Sequence, residues 1–265
     1  EVLYGDRSLA IWKKMDEISQ SIDTNPVTFV ISPTGTGKST QLPLRLLQEG
    51  KPSEMMQPRR LAAEMVSDRM AYHVDEMHSG KGEELIGCIT AEVHTATPKT
   101  KAIVMTDGVM LHRLPAILQQ ENPPVLLFDE VHEGKREMDI ALAVTANAMK
   151  TNPEIRIALL SATPNTGVYR EFFKKTLGIE MPVVELEERG YPIEDVENPD
   201  SIMSQEAYNE GLDGRNVLCI VDSVRAIQDV QDEIRAKYSE SGRSAPVIIG
   251  VHRNSPRSHI QIAKR

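Results

Sequence analysis

Short, nearly continuous apolar runs alternate along the chain with longer stretches whose apolar residues recur at every third or fourth position. The runs fall at 27–31, 55–57, 85–90, 102–105, 125–128, 157–160 and 183–186. Continuous runs of that length predict strands buried on both faces, as in a parallel sheet. Between them, 42–48, 60–72, 109–119, 140–149 and 168–177 carry helical spacing. Strand and helix in strict alternation predict an α/β architecture built on a doubly wound parallel sheet. No internal repeat or low-complexity tract interrupts the rhythm.

The character changes across 178–215, where "ERGYPIEDVENPDSIMSQEAYNEGLDGRN" is polar and rich in Asp, Glu, Asn and turn residues. The start of this region predicts a domain boundary, with a first domain over 1–182 and a second over 183–265. The second is expected to begin with a strand at 216–221 and a helix at 224–238, followed by a strand at 246–251. A doubly wound domain needs more strands than that, so the second domain is expected to be incomplete in this chain.

Composition narrows the picture only slightly. With 40% hydrophobic and 26% charged residues the chain reads as an ordinary globular protein. No run of eighteen apolar residues predicts a membrane span. The two cysteines, Cys88 and Cys219, both lie in apolar runs. They read as buried thiols in a reducing compartment, so a cytoplasmic setting is expected. The net charge of −9 does not advertise a polyanion binder. Nucleic acid, if bound, needs a local basic groove. Five basic residues and no acidic one follow Glu240: Arg243, Arg253, Arg257, Lys264 and Arg265. Histidines 73, 78, 94, 112, 252 and 259 lack metal-ligand spacing, so no structural metal is expected.

Two segments carry chemistry. The first, Ser32-Pro33-Thr34-Gly35-Thr36-Gly37-Lys38-Ser39-Thr40, joins a predicted strand to a predicted helix and has the form of a phosphate-binding loop. Gly35 and Gly37 let successive backbone N–H groups point at one phosphate, and the following helix adds its positive end. Lys38 would reach the β- and γ-phosphates, and the Ser39 hydroxyl would ligate Mg²⁺. Ser32 stands where the strict pattern has Gly. The second segment, "FDEVHE", ends the run 125–128 in Asp129 and Glu130 at the carboxyl end of a buried strand. That is where doubly wound sheets bind ligands. Asp129 would hold Mg²⁺, and Glu130 would sit by the metal and deprotonate the attacking water.

"PTGTGKSTQLP", "MQPRRLAAE", "VMTDGVMLH", "FDEVHE" and "LLSATP" together resemble superfamily 2 helicases, and the DExH or DEAH-box group above all, with Val131 in place of its usual Ala. The resemblance covers 27–265. It implies two RecA-like domains, the second incomplete, and an ATP-dependent RNA helicase that couples hydrolysis of Mg-ATP to movement along RNA. It also implies that Thr34, Gly35, Thr36, Gly37, Lys38, Ser39 and Thr40 bind nucleotide. His132 would link the γ-phosphate to the domain interface, and Ser161, Ala162 and Thr163 would couple hydrolysis to movement. Arg59, Arg60, Thr106, Asp107 and Gly108 would grip the backbone of single-stranded or tailed duplex RNA, joined by Ser223 and Arg225 of the second domain. "CIVDSVRA" and "SATPNTG" resemble viral members, which points to a viral replication complex or host cytoplasm. The family's arginine-finger motif is expected beyond residue 265. Two other functions stay open: an RNA-stimulated NTPase that remodels ribonucleoprotein without unwinding, and a nucleotide-switched RNA-binding module.

Overall fold

The computed structural model describes residues 4–187 and 203–252. The chain divides into two compact units, Glu1–Pro192 and Ile193–Arg265. The first is a seven-stranded sheet with strand order β3-β4-β2-β5-β6-β1-β7. Its strands are β1 (Val27–Ile31), β2 (Ser53–Gln57), β3 (Ile86–Ile89), β4 (Ala102–Thr106), β5 (Val125–Phe128), β6 (Ile157–Ser161) and β7 (Val183–Glu185). Every neighbouring pair is parallel. The helices are α1 (Met15–Thr24), α2 (Lys38–Gln48), α3 (Arg60–Met77), the single turn α4 (Gly82–Leu85), α5 (Asp107–Leu118), α6 (Arg136–Met149) and α7 (Gly167–Leu177).

The continuous apolar runs have the predicted cause. Successive strand residues point to opposite faces, and both faces are covered. Val30, Met55, Leu127 and Leu160 pack with Ile18, Leu42 and Met70 from α1, α2 and α3. Their neighbours Phe29, Met56, Phe128 and Leu159 pack on the other side with Leu114, Leu142 and Phe173 from α5, α6 and α7. Burying each such side chain contributes about 1.5–3 kcal/mol.

Several elements were not expected, the single turn α4 among them. A 3₁₀ turn at Ala10–Lys13 and helix α1 precede β1, and α1 buries Met15, Ile18 and Ile22. The expected boundary at residue 183 is displaced. Val183, Val184 and Glu185 pair with Phe29, Val30 and Ile31, so this run is the edge strand of the first sheet.

The second unit contains α8 (Met203–Leu212) and α9 (Val224–Glu240). Its small core gathers Ala207, Ile234 and Tyr238, with the Tyr208 and Tyr238 rings 4.9 Å apart edge to face. The strands expected at 216–221 and 246–251 are irregular chain, with Leu218, Ile220 and Val247 exposed. A strand is held by ladder hydrogen bonds from a neighbour, and neither segment pairs with another strand among the described residues. Cys88 is buried as expected, whereas Cys219 is only half-buried.

Candidate nucleotide site

Because the strands are parallel, their carboxyl ends share one edge of the sheet. Residues 32–40, 57–60, 106–108, 129–132 and 161–163 all follow or end strands there. The sheet thus collects onto one rim the predicted site residues of the first unit.

The loop after β1 is shaped by its glycines. Gly35 and Gly37 have φ of 80° and 97°, and Gly37 caps α2 in the left-handed region. A β-carbon on Gly37 would lie 2.9 Å from both Gln41 Cγ and Leu9 Cδ1. The Ser at position 32 is explained by its contacts. Its hydroxyl accepts from Thr36 Oγ1 at 2.9 Å, and its N–H donates to the Ser161 carbonyl at 3.0 Å. Thr36 Oγ1 also donates to the Pro33 carbonyl at 2.8 Å, closing the loop on itself. Thr34 and Gly35 form the exposed tip, Thr36 and Lys38 are buried, and Ser39 and Thr40 lie half-buried in the first turn of α2.

Asp129 is fully buried at the end of β5. Gln57 Nε2 donates to its Oδ2, and the Glu130 N–H donates to Oδ1 at 2.9 Å. Burial pushes its carboxyl up to about 6, against the hydrogen bond from Ser39; the Glu130 charge adds to the rise and Lys38 opposes it. Glu130 is the one non-glycine residue with positive φ among the described residues, at φ 55° and ψ 39°. A left-handed acidic residue of this kind is strained, and such strain gathers at functional sites. It turns the side chain so that Oε1 lies 3.6 Å from Lys38 Nζ and Oε2 lies 3.4 Å from His132 Nδ1. His132 Nδ1 also faces the Ala162 N–H at 3.4 Å. Ser161 Oγ donates to the Thr163 carbonyl at 2.8 Å and accepts from its N–H at 3.1 Å. The phosphate-type loop, the carboxylate pair, His132 and the 161–163 turn are therefore one contiguous cluster.

Chemically, the cluster offers a buried ammonium, a glycine-shaped loop and a helix N-terminus, which suit an anion rich in phosphate. An incoming phosphate competes with Glu130 for Lys38. Beside it, the Ser39 hydroxyl and the Asp129 carboxylate are adjacent hard oxygen donors. A carboxylate pushed up by burial gains most from a cation. This donor pair fits Mg²⁺, which takes few protein ligands and fills its shell with water and phosphate oxygens.

A phosphate-type loop beside a carboxylate pair at the carboxyl edge of a parallel sheet is where such folds bind ligands. The DEAD/DEAH box helicase family model matches residues 15–172. The chain belongs to the DEAD/DEAH box helicase family. The "ATP-dependent RNA helicase HrpA" of Borreliella burgdorferi is 33% identical over 199 residues, 73% of this chain and 23% of the relative. The human "Probable ATP-dependent RNA helicase DHX34" is 31% identical over 221 residues, 82% of this chain and 18% of the relative. The solved structure of the Escherichia coli DEAH/RHA helicase HrpB superposes with a TM-score of 0.69 at 26% identity, covering 86% of this chain and 30% of that one. The chain thus spans between about a fifth and a third of the length of these relatives.

Of the residues expected to hold nucleic acid, those of the first unit lie on the same rim. Arg59 is exposed, with Nη2 3.0 Å from Glu133 Oε1, and Arg60 pairs with Glu92. Asp107 opens α5 and accepts from the Gly108 N–H at 2.8 Å, with Thr106 as the preceding cap residue. Ser223 and Arg225 lie in the second unit, where Ser223 caps α9 by accepting from the Ala226 N–H at 3.1 Å. Arg253, Arg257, Lys264 and Arg265 lie outside the described residues. Sequence reasoning passed over Gln57, Glu133 and Lys135 as site residues. For Gln57 a signal existed: a polar residue ending an apolar strand. Lys135 has none, since its contacts are 77 and 28 positions away.

Proposed function

We propose that this chain is the nucleotide-driven motor of an ATP-dependent RNA helicase of DEAH type, moving on single-stranded RNA or the tail of a duplex. The observation that carries the reading is Glu130 held in a left-handed conformation between Lys38 and His132. A module that only bound nucleotide would need no carboxylate aimed and strained in that way.

In this reading Thr34–Thr40 cradles the phosphates of ATP, with Lys38 neutralising charge on the β- and γ-oxygens. Ser39 and Asp129 would hold Mg²⁺, which lowers the charge on the transferring phosphoryl group. Glu130 orients a water molecule and takes its proton as the oxygen bonds to the γ-phosphorus. The bridging oxygen leaves with the electron pair as ADP. His132 and the 161–163 turn pass the loss of the γ-phosphate to the strand ends. Arg59, Arg60 and the 106–108 turn hold backbone phosphates without reading bases, and Ser223 and Arg225 add contacts from the second unit.

The viral leaning rests on the "CIVDSVRA" and "SATPNTG" stretches alone, and the relatives above are bacterial and human. A cytoplasmic setting rests on the reading of Cys88 and Cys219 as thiols of a reducing compartment, and Cys88 is buried.

Glu130→Gln tests the reading. Affinity for a fluorescent ATP analogue should stay within about threefold, while single-turnover hydrolysis falls by 10²-fold or more, the scale of a lost general base. Hydrolysis surviving that change would remove Glu130 as the base.

A further inference from the structure

The stretches proposed to hold RNA and the loop carrying the nucleotide-site carboxylates are joined by one side chain. After Glu130 the chain makes a 3₁₀ turn over Val131–Glu133, and Gly134 reverses it at φ 60°. Lys135 follows as the residue that caps α6. Its ammonium donates to the Pro58 carbonyl at 2.7 Å. It also lies 3.8 Å from Asp107 Oδ2 and 3.7 Å from Glu133 Oε2. Pro58 immediately precedes Arg59, and Asp107 is the middle of the Thr106-Asp107-Gly108 turn. Three segments distant in sequence therefore meet at one Nζ. They are the starts of α3, α5 and α6.

The neighbouring contacts make this a junction and not a surface ion pair. Glu133 spends its other oxygen on Arg59 at 3.0 Å. One residue before Pro58, Gln57 is bound to Asp129 inside the sheet. The 57–59 segment is thus fastened to the 129–135 segment at both ends: at the buried carboxylate by Gln57, and at the rim by Lys135 and Glu133. Arg59 is 72% exposed, and its pair alone is worth little. Lys135, Glu133 and Asp107 are 34%, 21% and 26% exposed. A lysine has three donors and no acceptor, so all three partners can share it only while the loops keep their present spacing. A shift of the 129–135 loop either carries the start of α3 or α5 with it or breaks these contacts.

We infer that Lys135 is a positioning residue that transmits nucleotide occupancy from the Asp129–Glu130 loop to the two RNA-holding turns. The inference rests on the proposed function, since it needs both ligands to bind. By reciprocity, nucleotide and RNA then change each other's affinity by the same factor through this junction. Its removal uncouples the two ligands without abolishing either.

The test measures binding of a fluorescein-labelled oligouridylate by anisotropy, with and without a non-hydrolysable ATP analogue and Mg²⁺, on the 265-residue chain. Lys135→Met keeps the aliphatic stem and removes the charge, and Lys135→Arg keeps donors and charge. The wild-type chain should show a nucleotide-dependent change in RNA affinity of about fivefold or more, the usual range of such coupling. Lys135→Met should bring that ratio below about twofold while affinity for the nucleotide alone stays within about threefold, and Lys135→Arg should restore at least half of it. A merely structural role would lower thermal stability and leave the ratio intact. An unchanged ratio in Lys135→Met overturns the inference, as does a wild-type chain that binds both ligands without coupling. A wild-type chain that binds no RNA overturns the proposed function itself, and is told apart by the first measurement.

Discussion

Asp129→Asn should make the metal-free chain more stable. Asp129 is fully buried and its carboxyl sits at about 6, against an ordinary 3.8. Ionising it in the folded protein therefore costs about 3 kcal/mol more than ionising it in the unfolded chain. The sign follows from proton binding. Between pH 4 and 6 the folded state holds a proton that the unfolded state has released, so stability falls as pH rises through that window. Below it the penalty is absent, and at pH 7 it is complete. The asparagine removes it. Its carbonyl can keep the Glu130 N–H, and Gln57 can turn its amide to accept from the new NH₂, so the hydrogen bonds survive with little loss. The expected gain at pH 7 is about 2–3 kcal/mol, shrinking to near zero at pH 4. Urea unfolding in EDTA reads this directly. Trp12 is the single tryptophan and lies in the first unit, so its fluorescence follows that unit alone. With Mg-ATP added the order should invert, because only the wild-type chain keeps the ligand that stabilises it. A variant no more stable than wild type at pH 7, or equally stabilised at pH 4 and pH 7, would refute the idea that ionised Asp129 is a stored cost waiting for a cation.

Two other predictions test neighbouring parts of the fold. Glu54, buried on β2 with one carboxylate oxygen lacking a hydrogen-bond partner and Arg113 3.8 Å from the other, is raised by burial, with Arg113 opposing. Its folded value lies above the unfolded one, so its contribution is best below pH 4.5 and declines as pH rises; Glu54→Gln should flatten that slope in the same urea assay, and an unaltered slope would exclude Glu54 as its source. Gly37→Ala should destabilise the first unit by about 1–2 kcal/mol from φ alone, more from the close contacts with Gln41 and Leu9, and should weaken nucleotide binding; a full-affinity, fully stable variant would mean the loop adopts another shape.

The strands were legible because their cause is local. Phe29 and Val30, Met55 and Met56, and Leu126 and Leu127 each face opposite helical layers, and a run buried on both sides needs an apolar residue at every position. Helix α1 was not expected: Met15, Ile18 and Ile22 have helical spacing, but the polar residues between them leave no stretch that marks it. Given a parallel sheet, the motifs at strand ends had to converge, since every carboxyl end points to one edge. That is why Lys38, Asp129, Glu130 and Ser161 could be grouped before their distances were known.

What depended on pairing between distant residues was not legible. Residues 183–185 and 216–221 look alike as apolar runs, yet the first finds β1 as a neighbour and becomes a strand, while the second finds none among the described residues. The same holds within the site. The sequence by itself determined which residues are candidates for phosphate chemistry and at which strand ends they stand. Only the tertiary structure decided that Gln57 holds Asp129, that Glu130 is turned left-handed between Lys38 and His132, and that Lys135 meets Pro58 and Asp107. Periodicity is written residue by residue along the chain. A hydrogen bond spanning 77 positions exists only once the sheet has brought its two ends to the same edge.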